Sequence, residues 1–140
     1  MSLENMLLNS KQQKTFSDLS GATIATDANK HMGYLMENVQ YTAIKVPSKV
    51  KSIKLLACQN VVLRLTHLPI CGLTLSRCTN IEIYCQNMGY IDISRCTGII
   101  VHYERDAKSS DQLTISIDRC TDVVANEESI GQYTESTWVV

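Results

Sequence analysis

The 140-residue sequence lacks the features of several familiar protein classes. It has one Trp, one Phe and a formal net charge of −1, and no apolar run approaches the roughly 20 residues needed to span a bilayer. Its N-terminus has no apolar core of a secretory signal, and neither G-x-x-x-x-G-K-[ST] nor G-x-G-x-x-G occurs. We therefore expect a cytoplasmic protein that is not an enzyme, holds no cofactor, and binds neither membrane nor nucleic acid.

The sequence does contain a repeated phrase. LTLSRCTNIEI, IDISRCTGIIV and ISIDRCTDVVA occupy residues 73–83, 91–101 and 115–125, and in each one apolar residues lie three and five positions from the Cys on both sides. A fourth copy surrounds Cys58. A fifth, degenerate copy has Asn38 in the Cys position and Gly33, Leu35, Tyr41 and Ala43 around it, and a sixth, weak copy surrounds Leu19 with Phe16, Ala22 and Ile24.

These phrases predict a solenoid. Residues 19, 38, 58, 78, 96 and 120 give steps of 19, 20, 20, 18 and 24. The alternation on each side of the centre is typical of short strands, and a period near twenty is typical of stacked β-coils. The sequence therefore predicts an all-β parallel β-helix of about six coils over residues 16–126, after an N-terminal extension (residues 1–15). We expect Leu55, Leu75, Ile93 and Ile117 to stack inward, and the polar segment 103–112 to bulge outside.

The repeated cysteines admit three interpretations. A zinc site needs closely spaced ligands, whereas Cys71, Cys78 and Cys85 lie seven residues apart. A nucleophilic Cys could pair with His67 or His102, but no orienting acid has a recognisable spacing. We favour a structural role, because a small thiol suits a tight, buried corner. We therefore expect no metal and no catalytic residue.

Charge is unevenly distributed along the chain. No acidic residue occurs between Glu37 and Glu82, and this favours a surface that meets an acidic partner. Arginine precedes the Cys in the last three phrases and suits carboxylate or phosphate recognition. The alternatives are ordinary solvated charge and arginines paired with Glu82, Asp92 or Asp118. The candidate partner-binding residues are Lys45, Lys49, Lys51, Lys54, Arg77, Arg95 and Arg119.

Residues 34–65, YLMENVQYTAIKVPSKVKSIKLLACQNVVLRL, resemble the opening coils of the C-terminal domain of cyclase-associated proteins. AKSSDQLTISI (residues 107–117) is similar to a later segment of that family, and SIGQYTESTWVV is similar to its tail, without the prolines expected before Gln132. The resemblance implies a right-handed parallel β-helix that binds ADP-actin monomers and promotes nucleotide exchange on actin. The helical, proline-rich and WH2-like regions of the family have no counterpart here.

The resemblance also implies a homodimer formed by exchange of a C-terminal β-hairpin. Residues 127–140 contain two apolar-tipped stretches around a polar, Gly-containing middle, which suits a hairpin covering the unpaired edge of the last coil. A frayed tail is the alternative. The candidate dimerisation residues are Val123, Val124, Tyr133, Trp138, Val139 and Val140.

A second resemblance points to another function. ACQNVVLRLTH (residues 57–67) is similar to the A-C-Q-Q-hydrophobic-R motif of the tubulin-folding cofactor C domain, which activates GTPases through an arginine. Arg64 lies six residues after Cys58, where the motif requires four, and Val62 stands in that position. The GTPase-activating reading, with Arg64 as the arginine finger, is therefore the alternative, and a non-catalytic scaffold is the third class.

Overall fold

In a computed structural model the chain is a two-sheet β-solenoid. The structure describes residues 13–26, 30–86, 88–104, 112–126, 128–131 and 136–139. Each coil contributes one strand to each sheet. The first sheet has the order β1-β3-β5-β7-β9-β11-β14 and the second β13-β12-β10-β8-β6-β4-β2. The strands are β1 (Gln13–Ser17), β2 (Thr23–Ala25), β3 (Gly33–Glu37), β4 (Gln40–Val46), β5 (Ser52–Leu56), β6 (Gln59–Leu65), β7 (Leu73–Ser76), β8 (Thr79–Gln86), β9 (Gly89–Ser94), β10 (Thr97–Glu104), β11 (Leu113–Asp118), β12 (Thr121–Ala125), β13 (Glu128–Gly131) and β14 (Ser136–Val139).

Six strand pairs, β1/β2 to β11/β12, stack in parallel through five steps. Alternate residues of both sheets point inward, because successive side chains of a strand face opposite sides. Leu55, Leu75 and Ile93 have no exposed surface and Ile117 is 1 % exposed. The predicted parallel β-solenoid and its inward stack are therefore confirmed.

The corner between the two strands of a coil is the most regular feature of the fold. One residue has a left-handed backbone, and the residue after it is buried or nearly so. The residue three positions after the first is again left-handed. Arg77, Arg95 and Arg119 occupy the first left-handed position at φ of 54–55°, and Asn80, Gly98 and Asp122 the second. Two such residues separated by two others reverse the chain without breaking the parallel register. This corner explains why the alternation of apolar residues changes phase at the Cys of each repeated phrase.

The predicted register of the second coil is wrong by one residue. Glu37 pairs with Leu56 and Gln40 with Gln59, so that Val39, rather than Asn38, occupies the position of Cys58. Asn38 takes the left-handed position instead, with φ 53°. A shift of one residue exchanges the two faces of a strand. The inward residues are therefore Tyr34, Met36, Thr42 and Ile44, whereas Tyr41 and Ala43 are exposed and Leu35 is half-buried.

The weak first coil follows the predicted register. Phe16 pairs with Met36, and Ser17 pairs with Glu37, which places Leu19 next to Val39. Phe16 and Leu19 pack against the core at its edge, and Ile24 is buried. Of the polar segment 103–112 predicted to bulge, residues 105–111 lie outside the described residues. Tyr103 and Glu104 are part of β10, so the predicted start of the bulge is wrong by two residues, and Gln112 directly precedes β11.

The two C-terminal strands close the last coil. β13 pairs antiparallel with β12, and β14 pairs antiparallel with β11, so each extends a different sheet. The predicted C-terminal strands are thus present, and they lie on the end coil of their own chain. Val123 is buried in the core, and Val124 faces outward and is half-buried. Trp138 and Val139 lie in β14, and Tyr133 and Val140 lie outside the described residues.

Candidate functional site

The cysteines of the repeated phrases, Cys58, Cys78, Cys96 and Cys120, form a buried column at the corner. The Cys78 thiol donates to the carbonyls of Ser76 (3.4 Å) and Leu55 (3.5 Å), and the Cys120 thiol donates to those of Asp118 (3.3 Å) and Ile93 (3.4 Å). Each of these thiols thus bonds its own coil and the preceding one. The Ser76 and Asp118 carbonyls also accept backbone N–H groups of the preceding coil, from Ala57 and Arg95 at 2.9 Å, so the thiol bonds add to the backbone pairing at the corner. The cysteines are free thiols, and Cys71, in the loop before β7, is the exposed one.

At the centre of the column, the surroundings of Cys78 favour its protonated form, because they raise its pKa. Hydrogen bonding to the neighbouring Cys58 and Cys96 side chains, together with burial, raises the pKa of Cys78. The same bond from Cys78 lowers the pKa of Cys58 to about 7. Burial raises the pKa of Cys85 to about 12. Among the residues the structure describes, no three His, Cys, Asp or Glu side chains are grouped to hold a metal ion.

The three arginines of the repeated phrases form a row outside the cysteine column. Ser76 pairs with Ser94, and Ser94 with the position of Asp118, so Arg77, Arg95 and Arg119 follow one another at equivalent positions. Their spacing is the interstrand distance, about 4.8 Å. All three are exposed. We call Arg77, Arg95 and Arg119 the arginine row.

Of the three acidic residues considered as partners of the row, Asp118 contacts one arginine and Glu82 is engaged elsewhere. Arg119 Nε lies 3.8 Å from Asp118 Oδ1, with the arginine side chain 65 % exposed. Glu82 instead contacts Tyr84 and His102. Within the described part of the chain, neither Arg77 nor Arg95 forms an ion pair. The row is therefore available to an external anion.

The structure does not bring the candidate lysines together with the arginine row. Lys45 lies on the outer face of the second sheet and Lys54 on that of the first. Lys49 and Lys51 lie in the loop between β4 and β5, at the edge opposite the cysteine corner. All four are exposed. Six of the seven candidate residues thus divide into an arginine row on one edge and a lysine edge, Lys49 with Lys51 and the adjoining Lys54, on the other. The seventh, Lys45, lies on the outer face of the second sheet.

A polar cluster on the second sheet was not predicted from the sequence. Arg64, Tyr84 and His102 are paired across β6, β8 and β10. The Arg64 guanidinium lies 4.4 Å from the Tyr84 ring centre, and the Tyr84 and His102 rings stack at 4.5 Å. Glu82 Oε1 accepts a hydrogen bond from Tyr84 Oη and lies 2.9 Å from His102 Nε2. The three residues occupy the same outward position in successive coils, and this spacing was the available signal.

Charge interactions in this cluster favour the Glu82 carboxylate. The Tyr84 hydrogen bond lowers the pKa of Glu82, with further contributions from His102 and Arg64. The same bond raises the pKa of Tyr84. The cluster borders a cleft of about 280 Å³ lined in part by Leu65, Cys85 and Glu104. Within the described residues, His102 thus pairs with a carboxylate, and no hydrogen bond joins it to a thiol.

Arg64, the alternative arginine finger, is part of this cluster. Val62, at the position the cofactor C motif requires, faces outward from the same strand because the two residues are two apart. Arg64 is exposed, but its guanidinium lies on the Tyr84 ring. A finger role would require the side chain to leave this cation–π contact, which is worth about 0.5–1 kcal/mol at an exposed site.

No described segment forms a helix long and apolar enough to cross a bilayer. This finding concerns only the residues that the structure describes.

Comparisons with known proteins give a likeness to a solved structure. No protein-family model matches the sequence, and no curated protein matches it. Among solved structures, the chain is similar to the cyclase-associated protein from Cryptosporidium parvum, with a TM-score of 0.70 and 14 % identity over 91 % of this chain and 79 % of that one. At this identity the likeness concerns the fold, and it agrees with the family suggested by the sequence resemblance: the chain has the β-solenoid fold of a cyclase-associated protein.

Proposed function

We propose that this protein binds actin monomers, prefers their ADP form, and promotes nucleotide exchange on them. The observation that carries the proposal is the fold shared with a cyclase-associated protein over 91 % of the chain. The order of the resembling segments in the sequence points to the same family.

The surface chemistry supports an acidic protein partner. Lys45, Lys49, Lys51 and Lys54 are all exposed, and no acidic residue lies between Glu37 and Glu82. Such one-signed surfaces increase the rate of encounter with an oppositely charged partner. A binder that has higher affinity for an open actin cleft than for a closed one accelerates nucleotide release without performing chemistry itself.

The direct test is release of a fluorescent ADP analogue from actin monomers with and without the protein. We expect release to accelerate with protein concentration and to saturate. Absence of both binding and acceleration at micromolar concentration would remove actin from consideration.

Charge reversal at the lysine edge tests the surface. The variant Lys49→Glu/Lys51→Glu/Lys54→Glu should bind actin at least about tenfold more weakly at low salt, with a flatter salt dependence, because long-range attraction is lost. The matched control, Lys49→Arg/Lys51→Arg/Lys54→Arg, keeps the charge and should bind as the wild type does. Equal affinity of the two variants at low salt would contradict this assignment.

The GTPase-activating alternative rests on the exposed Arg64 and has its own readout. Stimulated GTP hydrolysis on tubulin or an Arf-like GTPase, lost on Arg64→Ala, would favour it over actin. If neither activity is found, the scaffold class remains.

A further inference from the structure

We propose that the arginine row is a binding site for an acidic α-helix, whose carboxylates, spaced three and four residues apart, each meet one guanidinium. This site lies on the edge opposite Lys49 and Lys51, and it does not depend on actin being the protein's partner.

The fold does not require arginine at these positions. The equivalent corner residues of the first three coils are Asp18, Asn38 and Ala57, with φ of 53–57°, the same conformation as in the row. Left-handed backbone is costly for long side chains and is tolerated best by Gly, Asn and Asp. Three successive coils thus carry a residue that the corner disfavours. Strained positions of this kind point to function when the structure repeats them.

The surroundings of the row suit an anion. Arg77 and Arg95 form no ion pair within the described residues, and Arg119 makes only the 3.8 Å contact to Asp118. Ser76 and Ser94 precede the first two arginines and are half-buried beside them. Guanidinium groups bind carboxylates through two parallel hydrogen bonds, which gives both strength and orientation.

The spacing selects a helix. The backbones of successive arginines are about 4.8 Å apart, and those of the first and third are about 9.6 Å apart. Along an α-helix, residues three or four apart are separated by about 4.5–6 Å, and residues seven apart by about 10.5 Å. A helix lying parallel to the solenoid axis therefore presents carboxylates at i, i+3 or i+4, and i+7 to the three guanidiniums. In an extended strand, residues on one face repeat every ~6.8 Å, which fits less well.

Net charge favours a carboxylate ligand over a phosphate polymer. Nucleic-acid-binding domains carry a strongly basic balance, commonly with an isoelectric point above about 9. This chain has a net charge of −1, and Asp118 and Asp122 lie at the end of the row. A short segment with three carboxylates matches three guanidiniums, whereas a long polyanion would also meet these acids.

The test uses the full chain and a fluorescein-labelled, Ala-based helical peptide with Glu at positions i, i+4 and i+7. Binding is measured by fluorescence anisotropy against a peptide of the same composition with its Glu residues distributed around the helix. We expect the stripe peptide to bind at least about tenfold more tightly than the scattered one. Equal binding, or binding of inorganic polyphosphate alone, would overturn the proposal.

The variant Arg77→Asn/Arg95→Asn/Arg119→Asn identifies the site. Asn suits the left-handed backbone, as Asn38 shows, so the variant should fold with an unchanged or higher melting temperature and lose at least about tenfold in stripe-peptide affinity. The control Lys45→Gln/Lys49→Gln/Lys51→Gln removes the same charge elsewhere and should bind as the wild type does. Undiminished binding by the Asn variant, or an equal loss in the control, would contradict the site. Because actin is absent from this assay, its failure and that of the actin proposal are separable.

Discussion

At the scale of single residues, the corners explain much of this sequence. The second left-handed position is filled by Gly21, Asn60, Asn80, Gly98 and Asp122, residue types that tolerate positive φ. The second coil has Tyr41 there instead, at φ 50°, and this residue is 65 % exposed. An exposed aromatic residue gains little from packing, so burial does not offset the energetic cost of its left-handed backbone.

Replacing Tyr41 with Asn should therefore stabilise the protein. We expect a gain of about 0.5–1 kcal/mol in the free energy of unfolding, measured by urea denaturation, because Asn accepts the left-handed backbone more readily. Ala43→Asn, at an exposed strand position of the same coil, is the control and should give no gain. A loss of stability in Tyr41→Asn would show that the tyrosine ring makes a contribution the corner geometry does not reveal.

The Glu82 cluster makes stability depend on pH. Because the pKa of Glu82 is lowered in the folded state, mainly by Tyr84, its contribution is present above the carboxyl's unfolded pKa of about 4.3. It disappears as pH falls through the lower folded value. The melting temperature of the wild type should exceed that of Glu82→Gln at neutral pH, and the difference should vanish in acid.

Glu104→Gln serves as the comparison, since Glu104 is an exposed carboxylate on the neighbouring strand β10. Its melting temperature should follow that of the wild type across the titration. A gap between wild type and Glu82→Gln that stays constant below pH 3 would assign the effect to shape rather than charge.

At the scale of the structural element, the register of each strand decides which side chains form the core. The strong copies were predictable because their cysteines mark the corner and their apolar residues alternate around it. The second coil was not, since Asn38 is polar and small like other corner residues, and Val39 carries no distinguishing chemistry. The tertiary pairing of Glu37 with Leu56 settles the register there, and no local pattern contains that information.

The second coil offers a direct measurement of register. Met36 has no exposed surface, whereas Leu35 is half-buried on the outer face. Met36→Ala should cost about 2–5 kcal/mol of unfolding free energy through lost burial and a cavity. Leu35→Ala should cost well under half as much. The reverse order would restore the register expected from the sequence.

The clusters on the outer faces were harder to predict than the core. Arg64, Tyr84 and His102 are 20 and 18 residues apart, and only the stacking of coils places them together. The arginine row was predictable because each member precedes a repeated Cys. The separation of the lysines from the row was not predictable. Lys49 and Lys51 lie in a loop, and the repeat pattern does not show at which edge of the solenoid that loop runs.

At the scale of the whole molecule, the C-terminal end of the solenoid has its own pair of covering strands. The C-terminal coil is covered by β13 and β14, which pair antiparallel with β12 and β11. This antiparallel addition pairs the edges of β12 and β11, and β13 and β14 become the outermost strands of their sheets. Homodimerisation by exchange of these strands remains a prediction, in which a partner supplies the same two pairings.

Removing residues after Asn126 tests the prediction. We expect light scattering to give a dimer for the full chain and a monomer for the shortened one, which loses both covering strands. The shortened chain should also unfold at a lower temperature, because the edges of β11 and β12 become exposed. A monomeric full chain, or a dimer that persists after truncation, would contradict strand exchange.

Because the corner is the same in each coil, the coils repeat along the solenoid axis at a fixed spacing. Each coil advances the chain by one interstrand distance, about 4.8 Å, and begins and ends in the same conformation as the next. Units of this kind interact chiefly with their immediate neighbours. A second copy of the β7/β8 coil inserted between β8 and β9 would therefore lengthen the solenoid by about 4.8 Å. It would add one arginine to the row, and each corner would keep its geometry. The length of this fold therefore changes only in whole coils, and an inserted coil would displace part of a partner's binding site by one interstrand distance.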